Sequence, residues 1–102
     1  MSFAPILAAL GDESRLEIVR KLCMVGPLST TRLAEDADIT RQAVTKHMLS
    51  LHKVGLVRSE RRGRERIWRL EPRRLEDVRR YLAQISKRWD GALSRLKAAV
   101  ED

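Results

Sequence analysis

The hydrophobic period of this chain changes at Gly55, and that change narrows the folds open to it. Upstream, apolar residues recur at helical spacing: Phe3, Ile6, Leu7 and Leu10, then Leu16, Val19, Leu22 and Cys23. Downstream, residues 56–60 and 66–70 read as short strands of mixed alternation. They flank residues 61–65, a turn centred on Gly63, and so predict a β-hairpin. Pro72 ends the hairpin, and helical spacing resumes at Leu75, Val78, Leu82, Ile85, Trp89, Ala92, Leu96 and Val100.

Local punctuation divides the upstream half. Gly11 ends a helix over residues 3–10, and Asp12 is placed to cap a second from residue 13 to about 24. Leu16, Val19, Leu22 and Cys23 are expected on its inner face. Gly26-Pro27 breaks it, Leu28 is extended, and Ser29 caps a short helix over 30–36 with Leu33 and Ala34 inward. A tight turn at 37–39 leads to Thr40, the cap of a longer helix over 41–54, which Gly55 stops. Two short helices joined by a tight turn, then a two-stranded wing and a long helix, make a winged helix-turn-helix. The expected class is mainly α with a small β-hairpin. One domain is expected over 1–102, with the helix-turn-helix at about 30–54, the wing at about 56–70 and a dimerisation helix at about 75–100.

Charge suggests the partner. The 102 residues carry 21 Lys and Arg against 14 Asp and Glu, and 16 of the 21 are Arg. Residues 40–88 hold 15 of the basic side chains and only 5 acidic ones, while both flanks are slightly acidic. A basic block of that kind is the electrostatic footprint of a polyanion binder. No apolar run is long enough to span a bilayer, and MSFAPILAAL lacks the basic start of a secretory signal. The lone Cys23 excludes an intrachain disulfide and is expected to be a small core residue. These features predict a soluble cytoplasmic chain, nucleoid-associated when bound to DNA, with no membrane partner. No Gly-rich phosphate loop, HExxH or recognisable nucleophile–base spacing is present, so no enzyme is expected.

The helix over 41–54 supplies the chemistry. Val44, Met48 and Leu51 form its core seam, bordered by His47 and Val54, while Gln42, Lys46 and Lys53 lie opposite and Arg41 and Thr45 flank them. Gln bonds adenine bidentately, Arg or Lys reads guanine, and a Thr methyl meets thymine. His47 suits a hydrogen-bonded structural role, and His52 is expected to be exposed. In the wing, Arg58, Arg61, Arg62, Arg64, Arg66 and Arg69 can straddle a phosphate backbone or enter a narrow minor groove. The rival from another class is a winged-helix protein-interaction module, which would want an apolar outer face on this helix. Single-stranded nucleic acid is disfavoured because the hairpin offers only Trp68 for stacking.

Residues 39–48, Ile39-Thr40-Arg41-Gln42-Ala43-Val44-Thr45-Lys46-His47-Met48, and then Val54-Gly55-Leu56-Val57, resemble the recognition-helix signature of ArsR-type (arsenic-repressor-like) bacterial regulators. Residues 7–18, Leu7-Ala8-Ala9-Leu10-Gly11-Asp12-Glu13-Ser14-Arg15-Leu16-Glu17-Ile18, are similar to that family's opening helices. The resemblance implies a homodimeric repressor on double-stranded operator DNA, contacted by Thr40, Arg41, Gln42, Thr45, Lys46 and the wing residues Arg61, Arg62, Arg64 and Arg66. Leu49 departs from the pattern: it lies on the outer face where a polar residue is usual, with a thymine methyl or sugar as its available contact. Many members of the family sense metals through paired cysteines in the third helix or Asp/His pairs in the last. Here residues 29–35 contain no Cys and the last helix no His, so neither metal nor cofactor is expected, and no residue points to an effector.

The apolar seam of the last helix outruns the core that the rest of the chain can offer. Its far half would leave an exposed stripe on a monomer. Leu82, Ile85, Trp89, Leu93 and Leu96, helped by Phe3, Ile6 and Leu7, are therefore expected to pair with a second copy.

Overall fold

The computed structural model describes residues 3–101; the outermost ends of the domain expected over 1–102 lie outside the described residues. The order is α1 (Ala4–Leu10), α2 (Glu13–Val25), β1 (Leu28–Ser29), α3 (Thr30–Ala37), α4 (Arg41–Lys53), β2 (Val57–Arg62), β3 (Glu65–Leu70) and α5 (Pro72–Glu101). Each helix start is made locally. The Asp12 carboxylate accepts from the Arg15 amide at 2.9 Å, the Ser29 hydroxyl from Arg32 at 3.0 Å, and the Thr40 hydroxyl from Ala43 at 3.0 Å. Caps of this kind are worth about 1 kcal/mol each.

The helix ends are equally local. Gly55, at φ +80°, donates its amide to His52, and Leu56 donates to Leu51; these are the two bonds of a Schellman motif. The same pair closes α3, where Asp38 donates to Glu35 and Ile39 to Ala34. There the left-handed position is held by Asp38 at φ +54°, the only non-glycine residue with positive φ among those described.

The core lies where α2, α3 and α4 meet the sheet. Val44, Met48, Leu51, Leu56, Val57 and Trp68 are fully buried, and α1 adds Ile6 and Ala9. On α2 the buried residues are Ile18, Val19 and Leu22, whereas Leu16 and Cys23 are exposed. This corrects the expectation that both point inward. Apolar residues occupy much of the circumference of α2, and its neighbours α1, α4 and β3 cover only one stripe of it.

The wing also differs from expectation. The hairpin strands run on to Arg62 and Glu65, leaving a two-residue loop of Gly63 and Arg64 instead of a five-residue turn. Gly63 at φ +66°, followed by a residue of negative φ, gives the signs of a type II′ turn, which matches the strand twist. A third strand, β1, pairs antiparallel with β3 through Leu28↔Trp68 and Ser29↔Ile67, giving the order β1-β3-β2. The Trp68 indole donates to the Thr30 hydroxyl at 2.9 Å, tying β3 to the first turn of α3.

Pro72 both ends the hairpin and starts α5, three residues earlier than the periodicity predicted, because its fixed φ suits a first helical position. Only Val78 of this 30-residue helix is buried. At about 1.5 Å per residue α5 is about 45 Å long. Its far half gives the molecule extents of 66 × 27 × 22 Å and a radius of gyration of 17.7 Å, against about 13 Å for a compact domain of this length.

Candidate nucleic-acid interface

Thr40, Gln42, Ala43, Thr45, Lys46 and Leu49 line one open depression on the outer side of α4. Four of the residues predicted to touch DNA are thus brought together. Arg41 is exposed at the N-terminus of the same helix, outside that depression. The buried seam Val44, Met48, Leu51 fixes the rotation of the helix, and so turns Gln42 and Lys46 to solvent. Thr40 already uses its oxygen to cap the helix, and its hydroxyl hydrogen remains available for an anion. His47 is half-buried at the edge of the seam and His52 is exposed, as the wheel predicts.

Ion pairing is distributed unevenly. Lys21 and Arg32 both hold Asp36, and their hydrogen bonds keep its carboxyl below the usual carboxylate range. Arg79 and Arg80 both hold Glu76, whose pKa falls from 4.5 to about 2, chiefly through the Arg79 hydrogen bonds. By contrast, among the described residues no carboxylate pairs with Arg41, Lys46 or Lys53 on α4, or with Arg61, Arg64 or Arg69 in the wing. Cations left unpaired along one helix and the hairpin that follows it can form the electrostatic part of a polyanion site.

The wing register sharpens this. Arg61 lies directly opposite Arg66, and Arg58 opposite Arg69. Like charges facing each other across a ladder are destabilising on their own. Arg58 is neutralised by Glu71, and Arg66 lies 5.6 Å from the centre of the Trp68 ring, leaving Arg61 and Arg69 without such relief among the described residues. Arg62 is held by Glu60 at 2.8 Å, and Arg64 sits in the exposed two-residue loop. Arg69, read from sequence with the other wing arginines, lies on the same face of the hairpin as Arg58 and on the opposite face from Arg61 and Arg66. Trp68 is buried and hydrogen-bonded, so it offers no stacking face.

The residues expected to pair two copies separate into three groups. Leu82, Ile85, Trp89, Leu93 and Leu96 are exposed along α5, with Trp89 64% exposed. Phe3 is half-buried, stacked on Tyr81 with ring centres 4.5 Å apart, and Leu7 is half-buried. Ile6 is a correction: at 2% exposure it is spent on this chain's own core and has no surface to offer a second copy. Among the described residues no group of three or more His, Cys, Asp or Glu is placed to hold a metal ion, and no helix is long and apolar enough to cross a membrane.

A helix presenting Gln, Thr and unpaired cations, followed by an Arg-rich wing, defines a DNA-binding winged helix-turn-helix. Known proteins agree. The model of the arsR family of bacterial regulatory proteins matches residues 12–59. The HTH-type transcriptional regulator Rv2034 of Mycobacterium tuberculosis is 34% identical over 86 residues, 84% of this chain and 77% of that protein. An ArsR-like transcriptional regulator from Rhodococcus sp. RHA1 superposes with a TM-score of 0.74 at 37% identity, covering 93% of this chain and 89% of that one. The homodimeric winged helix-turn-helix DNA-binding domain of Mb0332 from Mycobacterium bovis superposes with a TM-score of 0.65 at 25% identity, over 85% of this chain and 77% of that one. The chain belongs to the ArsR family of bacterial transcriptional regulators; it is a regulator and not an enzyme.

Proposed function

We propose that this protein is a homodimeric cytoplasmic repressor of a palindromic operator, acting as one domain without a cofactor. Each α4 enters the major groove, and each wing lies on the adjacent backbone or minor groove. The observation that carries this reading is the outer face of α4, where Gln42 and Lys46 are exposed, with Arg41 exposed beside them and no carboxylate paired with either cation among the described residues. Gln42 and Arg41 would meet base edges, Thr45 and Lys46 a base or the backbone, and Thr40 a phosphate. Arg61, Arg62, Arg64 and Arg66 would hold phosphates, with Arg62 exchanging Glu60 for the DNA.

Dimerisation is supported by the stripe of α5, whose burial against a second α5 would remove a row of large apolar side chains from water. Phe3 and Leu7 flank it. The Mycobacterium bovis relative is itself described as homodimeric. Repression follows from occupancy: a dimer covering two major-groove half-sites excludes other proteins from that stretch of promoter.

The test is selection of bound sequences from random synthetic duplexes, followed by footprinting. An inverted repeat with half-site centres about 34–36 Å apart is expected, one helical turn. A single unrepeated site, or no enrichment, would contradict the reading.

A further inference from the structure

We infer that Leu49 is a specificity-determining residue that reads the C5-methyl group of one thymine in each half-site; this rests on α4 being the major-groove helix. Leu49 is 52% exposed in the middle of that helix, on the same side as Gln42 and Lys46, and shares their depression with the Thr45 methyl and Ala43. An exposed leucine on a DNA-facing surface has two uses: docking a protein, or meeting the apolar group of the groove. The surroundings decide between them. Its neighbours one turn away on the helix are Thr45, Lys46, His52 and Lys53, and the apolar surface beside it is only Ala43 and the Thr45 methyl, a patch too small for a protein to dock on.

In the major groove the thymine methyl is the one apolar group that a base pair presents, and it is absent from the other three bases. Leu49 lies seven residues beyond Gln42, about 10 Å along the helix axis. That is about three base-pair steps, which places the methyl in the same half-site as the Gln42 contact but at a different position. The Thr45 methyl and Ala43 give the leucine an apolar flank. Lys46 and Lys53, one turn before and one turn after Leu49, are exposed and would reach phosphates, setting the apolar contact within a charged rim.

The test uses the full-length protein and the half-site obtained by selection, made as synthetic duplexes, which carry no methylcytosine. Each thymine is replaced in turn by deoxyuridine in both half-sites, which removes the methyl and leaves every hydrogen-bonding group in place. One position is expected to lower affinity about fourfold per half-site, about fifteenfold for the dimer, the scale of burying one methyl. The Leu49→Ala variant is expected to bind the thymine duplex as weakly as the wild type binds that deoxyuridine duplex, and to be indifferent to the replacement. Because Leu49 packs into no core, the variant's melting temperature should match the wild type's, which excludes misfolding as the cause. Wild-type affinity unchanged by every replacement would overturn the inference. So would a single-thymine effect that survives in Leu49→Ala, which would assign the methyl to Thr45 or Ala43. Failure to select any sequence would overturn the proposed function itself, and this inference with it.

Discussion

At the scale of single residues, Asp38 has the least favourable backbone. Its φ of +54° closes α3 and aims the chain into α4, and a left-handed L-residue other than Gly, Asn or Asp costs about 1–2 kcal/mol. Asp38→Gly is therefore expected to change stability little, and the β-branched Asp38→Val to lower it by about 1–2 kcal/mol; chemical denaturation of both checks the pair. Glu76 provides a pH test. Its pKa is depressed in the fold, so its stabilising contribution is complete above the ordinary 4.5 and disappears as pH falls towards about 2. The melting-temperature gap between wild type and Glu76→Gln should close over that interval, and a gap independent of pH would contradict the ion pair. Asp12, Ser29 and Thr40 were legible from sequence as caps because their hydrogen bonds span only three residues. The loss of Ile6 to its own core was not legible, since periodicity gives a face and not the identity of what covers it.

At the scale of elements, the wing and the helix-turn-helix are joined through Trp68 and the first turn of α5. Trp68 fills the centre of the core and bonds Thr30. Trp68→Ala is expected to cost about 3–5 kcal/mol in urea unfolding. Trp68→Phe should cost less while still leaving the Thr30 hydroxyl without its donor. On the other side, Arg74 donates to the Val54 carbonyl at 3.1 Å beside Gly55, the Glu71 amide donates to Leu56 at 2.8 Å, and Glu71 pairs with Arg58. The helix proposed to read DNA, the wing and the helix that would pair two copies are thus fastened within a few residues of one another. The helices, their order and the direction of Gln42 and Lys46 could be read from period and punctuation, both local signals. Leu28 reads as extended after Gly26-Pro27, but the pairing of β1 could not be read, because a two-residue strand has no period and its partner lies about 40 residues away. Nor could the buried side of α2, where Leu16 and Cys23 are as apolar as the residues that tertiary contact selects.

At the scale of the whole molecule, α5 extends well beyond the core with Leu82, Ile85, Trp89, Leu93 and Leu96 exposed. Equilibrium sedimentation should find the wild type dimeric and the Trp89→Glu, Leu96→Glu double variant monomeric, since the charges would be buried unpaired at the seam. A wild type that stays monomeric at tens of micromolar would contradict the dimer. On the proposed reading two copies would act on DNA with divided labour, α4 selecting sequence and the wing supplying charge. The most direct test measures affinity for operator and scrambled duplexes across a salt series, for wild type, Gln42→Ala and Arg64→Ala. Gln42→Ala should lower the operator-to-scrambled ratio by about 1–3 kcal/mol per half-site and leave the salt slope unchanged. Arg64→Ala should weaken both duplexes alike and reduce the slope by about one unit per half-site. A ratio that survives Gln42→Ala but collapses in Arg64→Ala would mean that the wing reads the sequence, contrary to the roles assigned here.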